Sequence, residues 1–213
     1  MTANPKRTLW HFYDGAIYGQ IVERGLDGLY DRVAAHLRER GARRVLDACC
    51  GVGGLSVRLG RAGVDVLGVD LSPRNVRYAQ RRGRRAGLGN VEFALRDVTA
   101  LGDHADASFD TATVLMALHE MPQAERLGAL RELSRVAARV VVVDFTAPLP
   151  HSVHGWFNRA VEFVAGPTHF RGFRDYQRRG GLGPLIEEAG LDVTHDRTLQ
   201  GGTLRCVELR RAG

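Results

Sequence analysis

The sequence predicts an α/β protein built on a mostly parallel, doubly wound sheet. Short apolar stretches alternate with helix-like stretches from residue 44 onward, which favours parallel strands covered by helices on both faces. The stretch VLDACCGVGG (residues 45–54) is typical of a strand that runs into a glycine-rich, ligand-binding turn. Near the end of the chain, Gln200-Gly201-Gly202 separates two apolar stretches, which predicts a closing hairpin with an antiparallel strand.

Length and composition set the broad class of the protein. The 213 residues are enough for one domain, which we expect to span residues 1–213. The apolar share of 44% is ordinary for a globular protein, and no stretch approaches the roughly 18 apolar residues of a membrane span. Residues 1–15 lack the apolar segment of a signal peptide, and three cysteines without framework spacing fit a reducing compartment. We therefore expect a cytoplasmic protein.

The formal net charge of +6 raises the question of a nucleic-acid partner. Lys6 is the only lysine, however, so a general preference for arginine explains the charge at least as well. The densest basic run, residues 81–85, falls near the end of an expected helix, where cations suit the helix dipole. The charge therefore argues only weakly for nucleic acid, and we expect none as a partner.

In the first half of the chain, helices are indicated by apolar residues at helical spacing and strands by short apolar runs. A helical region over residues 8–40 ends at Gly41. Ser72 and Pro73 provide a cap and a first position for a later helix, which ends near Gly87 or Gly89. The other expected elements are the strands Arg44–Ala48, Val64–Val69 and Val91–Leu95 and the helix Gly53–Ala62.

The same criteria apply to the second half of the chain, where residues 148–180 show no clear periodicity overall. Within them, residues 156–164 are amphipathic at helical spacing. The elements expected elsewhere are the strands Phe109–Leu115, Arg139–Phe145, Leu191–Thr198 and Thr203–Leu209 and the helices Pro122–Ala137 and Leu182–Ala189.

Acidic residues at three strand ends indicate the ligand. Asp47 ends the first strand, Asp70 the second, and Asp97 follows the third. A carboxylate about 20 residues after the glycine turn accepts ribose hydroxyls in nucleotide-binding sheets. Asp47 would repel a pyrophosphate, and Ser56 stands where a dinucleotide fingerprint has its third glycine. A ligand with a sulfonium and an ammonium group, S-adenosylmethionine, suits this turn better.

Five motifs in this order carry a family resemblance: VLDACCGVGG, VLGVDLS, NVEFALRDV, FDTATVLMALHEMP and the terminal hairpin. The chain resembles the class I S-adenosylmethionine-dependent methyltransferases over about residues 43–145, nearest the branch that methylates quinone precursors and phospholipids. The resemblance implies a Rossmann-like seven-stranded sheet with a C-terminal antiparallel strand. It also implies an N-terminal helical lid over residues 1–40 and an acceptor-side insertion over residues 146–180.

The resemblance also implies which residues would line the cofactor site. Cys49 departs from the family, which most often has glycine there, although a Cys-Cys-Gly turn is familiar in the quinone-methylating branch. For Asp70 and Asp97 the alternative is the capping of strand-end turns. The implied contacts are Asp47, Cys49, Gly51 and Gly53 for the methionine side, Asp70 and Leu71 for the ribose, Asp97 and Val98 for the adenine, Met116 beside the cofactor, and Tyr13 and Tyr18 from the lid.

On the acceptor side the catalytic candidates are His119 and Glu120, which follow the fourth strand. The alternative for His119 is that it packs against or caps the next helix. No metal site is expected, because His151 and His154 lack a further ligand at a telling spacing, as do the paired cysteines. Cys50 is expected to pack in the core.

Two further segments bear on the methyl acceptor. The aromatic and basic residues of 169–176 could seat an anionic or aromatic acceptor, or pack on the sheet edge. The amphipathic segment 156–164 is a core or lid helix, or else faces lipid. We expect a small-molecule or lipid-like acceptor, with peripheral membrane contact as an added hypothesis. The alternatives are a nucleic-acid methyltransferase, a non-catalytic cofactor-binding protein and a nicotinamide oxidoreductase.

Overall fold

A computed structural model describes the backbone of residues 16–212 and the side chains of residues 25–212. The helices of this part are α1 (Ala16–Glu39), α2 (Gly54–Arg61), α3 (Pro73–Arg85), α4 (Gln123–Val136), α5 (Val153–Val164), α6 (Pro167–Arg178) and α7 (Leu182–Ala189). The strands are β1 (Arg44–Ala48), β2 (Asp65–Asp70), β3 (Val91–Leu95), β4 (Thr111–Leu115), β5 (Val140–Phe145), β6 (Leu191–Leu199) and β7 (Leu204–Arg211).

The seven strands form one sheet in the order β3-β2-β1-β4-β5-β7-β6. All pairs from β3 to β5 are parallel, whereas β7 is antiparallel to both of its neighbours. This confirms the predicted seven-stranded, doubly wound sheet with an antiparallel C-terminal strand. The strand order reverses between β1 and β4, so a ligand site is expected beyond the carboxyl ends of these two strands.

Most elements begin and end within two residues of their expected bounds, and two differences change the interpretation. β4 begins at Thr111 rather than Phe109, because Phe109 makes only an isolated bridge to Ala137. The segment 148–180 is more regular than expected, since it contains both α5 and α6. Ser152 caps α5 by accepting a hydrogen bond from the amide of Gly155, and Pro167 stands in the first turn of α6.

The core is apolar on both faces of the central strands, as expected for a sheet covered by helices. Every residue of β4 and β5 is buried. From α1, the side chains of Leu29, Val33 and Leu37 enter this core. The C-terminal half of the segment predicted as a lid is therefore part of the domain itself, and the lid remains a prediction for the residues before Gly25, whose side chains are not described.

Helix α5 places its apolar residues outward. Trp156, Phe157, Phe163 and Val164 are 62–74% exposed, whereas Glu162 is 5% exposed. The interpretation of this segment as a core helix is therefore wrong, because the core side of α5 is occupied by a carboxylate. Across the described residues, every helix is too short or too polar to span a bilayer.

Beneath the glycine turn, Phe93 of β3 fills a small second core together with Cys50, Val57, Val76 and Ala79. The expected packing role of Cys50 is thus confirmed. The turn approaches Phe93 so closely that a Cβ at Gly53 would lie 2.8 Å from the ring, and Gly53 also has a positive φ of 81°. Glycine is required here for both reasons.

We expect Gly53→Ala to lower the free energy of unfolding by about 1–3 kcal/mol, because the new methyl group clashes with Phe93 and the backbone is left-handed. Gly89→Ala is the matched control, since Gly89 has open space around it and no positive φ. Chemical denaturation of both variants measures the difference. Equal stabilities would contradict the close packing described for this turn.

Candidate functional site

The glycine turn connects β1 to α2 and is held by the carboxylate of Asp70 at the end of β2. One Asp70 oxygen accepts a hydrogen bond from the Gly51 amide at 2.8 Å, and the other accepts one from the Ser72 amide at 2.8 Å. Burial raises the pKa of Asp70, and the hydrogen bonds from Ser72, Gly51 and Asn75 oppose that rise. Asp70 therefore ties the turn after β1 to the start of α3.

Asp97, after β3, has the same kind of local role. One of its oxygens accepts hydrogen bonds from the amide of Thr99 at 3.0 Å and from its hydroxyl at 2.7 Å. The turn-capping alternative is thus observed for both Asp70 and Asp97. It does not compete with ligand binding, because an ionised carboxylate has about four acceptor positions.

Asp47 lies behind the turn rather than at its surface. It is 3% exposed, and its two oxygens accept hydrogen bonds from the hydroxyls of Ser56 at 2.5 Å and Thr113 at 2.9 Å. These bonds join β1 to α2 and to β4. Burial raises the pKa of Asp47 to about 6, although the two hydroxyl hydrogen bonds oppose the rise. Asp47 therefore orders the turn from behind.

Cys49 begins the turn with a left-handed backbone, at a φ of 55°. This conformation favours glycine and explains why a small residue is needed here. Burial, followed by the charges of Asp70, Glu120, Asp47 and Asp97, raises the pKa of the Cys49 thiol well above its ordinary value. The thiol is therefore protonated and a poor nucleophile. The same four carboxylates make this end of the sheet strongly acidic.

The remaining predicted cofactor residues divide by exposure. Leu71, directly after β2, is 49% exposed, and Leu95 at the end of β3 is 55% exposed, so both offer apolar surface at the switch-point edge. Val98 is buried, and Met116 is half-buried with a positive φ of 52° directly after β4. Tyr13 and the side chain of Tyr18 lie outside the described residues.

After β4, His119 points into the protein and not into solvent. It is 2% exposed, and its Nδ1 lies 2.7 Å from an oxygen of Asp144 in β5. The imidazole packs edge-on against Phe145, with ring centroids 4.8 Å apart. His119 therefore packs in the protein interior, as the alternative predicted. The Asp144 carboxylate fixes the orientation of its ring.

His119 belongs to a buried group of ionisable side chains that we call the His–carboxylate cluster: His119, Glu120, Asp144, Glu162 and His169. Glu162 of α5 lies 2.6 Å from Nε2 of His169 and 3.6 Å from Nε2 of His119. Glu120 lies 3.4 Å from Nδ1 of His169 and 3.8 Å from Nε2 of His119. Glu120 is the half-buried member of the cluster, and it lines an open cavity beside α6 that we call the cleft.

The electrostatics of the cluster favour positive charge on both imidazoles. Burial alone would lower the pKa of His119, but the charge and hydrogen bond of Asp144 and the charges of Glu162 and Glu120 raise it to about 9. Burial would likewise lower the pKa of His169, whereas hydrogen bonds to Glu120 and Glu162 raise it to about 10. Three carboxylates thus surround two imidazoles.

Arg126 of α4 holds the backbone around this cluster. Its buried guanidinium donates hydrogen bonds to the carbonyl oxygens of Leu118 and Gly172, each at 2.9 Å, and lies 2.9 Å from the Asp175 carboxylate. Because Leu118 precedes His119 and Gly172 lies one turn after His169, this side chain links the two elements that carry the histidines. Arg126 is a positioning residue.

Sequence reasoning identified His119 and Glu120 but missed Asp144, Glu162, His169 and Arg126 as parts of one site. Two of them carried a signal: Asp144 interrupts the apolar strand VVVVDF, and Glu162 interrupts an apolar helix face. His169 was considered only with the aromatic residues around it. Of these, Phe173 and Tyr176 are buried, and the Tyr176 hydroxyl donates to the carbonyl of Phe145, so they pack on the sheet as the alternative predicted.

Two cavities flank the cluster along α6. One of about 520 Å³ is lined by Phe163, Pro167, Phe170 and Arg171. The other, of about 340 Å³, includes Glu120 and also Arg171 in its lining. The carboxyl ends of the central strands therefore present an acidic edge, and an aromatic, partly basic region lies beside it along α6.

This geometry defines a ligand-binding α/β sheet, and comparison with known proteins gives its family. Residues 45–140 match the family described as a methyltransferase domain. A 27-O-demethylrifamycin SV methyltransferase of Amycolatopsis mediterranei is 32% identical over 176 residues, which cover 78% of this chain and 64% of that protein. A ubiquinone biosynthesis O-methyltransferase of Paracidovorax citrulli is 38% identical over 80 residues, or 38% of this chain and 34% of that protein.

Solved structures show the same fold. The magnesium protoporphyrin IX methyltransferase of Synechocystis PCC 6803, with bound SAH, aligns with a TM-score of 0.63 at 24% identity over 88% of this chain and 84% of that chain. An O-methyltransferase from neocarzinostatin biosynthesis, in complex with S-adenosyl-L-homocysteine and 1,4-dihydroxy-2-naphthoic acid, aligns with a TM-score of 0.70 at 20% identity over 92% of this chain and 57% of that chain.

These findings confirm the predicted family: the chain contains a class I S-adenosylmethionine-dependent methyltransferase domain. The chain spans about two thirds of the length of the rifamycin relative and one third of the ubiquinone relative. The sequence identities to the solved structures are below 25%, so these structural similarities show a shared fold and nothing more specific.

The raised pKa of Asp47 predicts a loss of stability as pH rises. The unfolded carboxyl ionises near pH 4, whereas the folded one ionises only near its pKa of about 6, so stability present below pH 4 is lost through pH 6. Asp47→Asn cannot ionise. We expect the free energy of unfolding of the wild type, relative to Asp47→Asn, to fall by on the order of 2–3 kcal/mol between pH 4 and 7.

Chemical denaturation at several pH values measures this difference. Asp65→Asn, on the exposed opposite end of β2, removes a carboxylate from the same strand and is the matched control for the substitution itself. An offset between Asp47→Asn and the wild type that does not change with pH would contradict the raised pKa of Asp47.

Proposed function

We propose that the chain binds S-adenosylmethionine at the switch-point edge and transfers its methyl group to a hydroxyl group of a small aromatic or polycyclic molecule. The acidic edge supports the cofactor, because a sulfonium and an ammonium group are favoured beside Asp47, Asp70, Asp97 and Glu120. The charges of all four carboxylates raise the pKa of the Cys49 thiol, so their negative charge acts on the first residue of the turn. Exposed Leu71 and Leu95 offer the apolar surface that a nucleoside base requires.

The bound cofactor supplies an electrophilic methyl group on its sulfur. In this proposal, Gly51 and Gly53 let the turn approach the methionine portion of the cofactor. Asp70 accepts hydrogen bonds from the ribose hydroxyls, and Asp97 and the Val98 amide bind the adenine. Met116 and Cys49 lie beside the sulfonium as small or flexible apolar neighbours. The contribution of the lid residues Tyr13 and Tyr18 is proposed from the family resemblance alone.

The His–carboxylate cluster is the observation that favours an acceptor that loses a proton. A hydroxyl, N–H or carbon acceptor loses a proton during transfer, whereas a thioether or tertiary amine does not, so ionisable groups on the acceptor side fit the former kind. His119 and Glu120 are such groups, and Glu120 reaches the cleft. Among acceptors that lose a proton, the named relatives favour a hydroxyl group. We assign Glu120 to holding the hydroxyl group in line with the methyl group and accepting its proton, and the buried His119 and His169 to positioning Glu120.

The relatives support the same acceptor chemistry. The rifamycin and ubiquinone relatives are O-methyltransferases by name, and the neocarzinostatin enzyme was solved with a dihydroxynaphthoic acid. In this chain, the cavity lined by Phe163, Phe170 and Arg171 offers aromatic surface and one cation for an acceptor of that shape. Nothing in the structure or the comparisons favours nucleic acid, a purely cofactor-binding protein or a nicotinamide enzyme.

Contact with a membrane surface is a second proposal, and the exposed apolar side of α5 favours it. Trp156, Phe157, Phe163 and Val164 form this side. Arg159 lies over the Trp156 ring and Arg174 over the Phe170 ring, so cations border the apolar area. Such a surface suits an acceptor delivered from anionic lipid. The lipid arm of the transfer experiment below tests it.

We expect Asp70→Ala to weaken binding of S-adenosylmethionine by at least about tenfold, because the glycine turn loses its anchor and the ribose loses an acceptor. Isothermal titration calorimetry measures the affinity. Asp65→Ala removes a carboxylate from the exposed start of the same strand and should leave the affinity unchanged. If both variants bind as tightly as the wild type, the cofactor is not held at this edge.

Incubation with a deuteromethyl cofactor and a panel of phenolic, polycyclic hydroxyl and quinol compounds should yield products that are heavier by one labelled methyl group. Mass spectrometry with fragmentation locates the label on oxygen. Parallel incubations contain RNA, or anionic vesicles carrying a lipid-soluble phenol. Label only on nitrogen, carbon or RNA would refute the hydroxyl acceptor. Equal turnover of the phenol with and without vesicles, together with no co-sedimentation, would refute membrane contact.

A further inference from the structure

Three members of the His–carboxylate cluster direct donor atoms toward a common point. His119 Nε2, a Glu120 oxygen and a ring nitrogen of His169 all lie within 4.8 Å of one another. Glu120 is 3.4 Å from His169 Nδ1 and 3.8 Å from His119 Nε2. Donors about 2.1 Å from a tetrahedral ion are separated by roughly 3.4 Å, which is the separation already seen between Glu120 and His169, whereas the widest pair would have to close by up to about 1.4 Å to share one ion.

The far nitrogen of each imidazole is already engaged by a carboxylate. His119 Nδ1 lies 2.7 Å from Asp144, and His169 Nε2 lies 2.6 Å from Glu162. This pairing sets the orientation of each ring and directs its other nitrogen toward Glu120. Carboxylates in this outer position orient metal-binding histidines and increase their basicity. Two buried carboxylate–histidine pairs therefore meet at a third carboxylate, Glu120.

The charge balance favours a cation at the shared point. Asp144, Glu162 and Glu120 surround the two imidazoles, and the same charges that hold protons on the rings would stabilise a divalent ion in their place. Glu162 also lies 3.6 Å from His119 Nε2, so a second carboxylate borders the point. His119 and His169 are each at most 5% exposed, which keeps bulk water from competing.

We propose that His119, Glu120 and His169 form a binding site for a divalent transition-metal ion. Two imidazole nitrogens and one carboxylate suit Zn²⁺ or a similar ion, whereas Mg²⁺ prefers oxygen donors throughout. Three protein ligands would leave one position for a further ligand, and Glu120 is the member of the site that is half-buried. The sequence predicted no metal site because its ligands come from the turn after β4 and from α6, 49 residues apart.

Resting on the proposed hydroxyl acceptor, this inference specifies how the acceptor is activated. Held by these residues, the ion would lower the pKa of an acceptor hydroxyl group beside it, and the half-buried Glu120 would pass the released proton to water. The oxygen then forms a bond to the methyl carbon while the carbon–sulfur bond breaks, and the sulfonium becomes a neutral thioether. The product ether is a weaker ligand than the oxyanion, so the methylated product is released.

Calorimetric titration of the chelator-treated full chain with Zn²⁺ and with Mg²⁺ tests the site. We expect about one Zn²⁺ per chain and at least tenfold weaker binding of Mg²⁺. His169→Asn and Glu120→Gln should each weaken Zn²⁺ binding at least tenfold. Glu120→Gln is included because it keeps the side-chain shape at a half-buried position and is expected to fold. His154→Asn, an exposed histidine outside the cluster, is the matched control and should bind as the wild type does.

Zn²⁺ binding that is absent, or unchanged in both His169→Asn and Glu120→Gln, would overturn the proposal. For activation, the labelled-methyl assay is repeated with chelator-treated protein, with and without added Zn²⁺. Transfer that is lost on chelation and restored by Zn²⁺ supports the metal role, whereas full transfer without metal overturns it and leaves the proposed function intact. Zn²⁺ binding at these residues with no transfer to any hydroxyl acceptor would instead refute the proposed function and retain the metal site.

Discussion

The contact between Asp144 and His119 is the constraint on which the acceptor side of the molecule depends. Asp144 stands in the fully buried strand β5, where an unpaired carboxylate would be costly. Its oxygens accept hydrogen bonds from the amides of His119 and Phe145 and lie 2.7 Å from His119 Nδ1. Because every one of these partners sits at the end of β4 or β5, satisfying this charge fixes the path of the chain after both strands.

The cofactor side is organised by the same principle with different groups. There, carboxylates at the ends of β1, β2 and β3 are satisfied by hydroxyls and backbone amides rather than by histidines. The left-handed residues Cys49 and Met116 begin the turns after the neighbouring strands β1 and β4, on either side of the switch point. A chain of net charge +6 nevertheless builds an acidic site, because four carboxylates gather at one sheet edge.

The sequence predicted what depends on local pattern. Strand and helix positions follow from apolar periodicity, and Asp70 and Asp97 were identified because parallel strands end at one edge of the sheet. The partners of His119 could not be predicted in this way. Glu162 and His169 are 43 and 50 residues further along the chain, and their approach depends on how α5 and α6 fold back onto the turn after β4. That packing depends on Arg126, whose contacts with Leu118, Gly172 and Asp175 leave no trace in local spacing.

Helix α5 was expected from its sequence to bury its apolar residues in the core, and its observed orientation is the opposite. A helix with adjacent charged and apolar residues is expected to bury the apolar ones, yet Glu162 is buried and Phe163 and Val164 are exposed. Glu162 must point inward to reach His169, and consecutive helical residues lie about 100° apart, so its neighbours turn outward. The ionic cluster therefore determines the exposed apolar surface. One orientation of α5 thus has two consequences. It brings Glu162 to His169 inside the cluster, and it exposes Phe163 and Val164 to an acceptor or lipid outside.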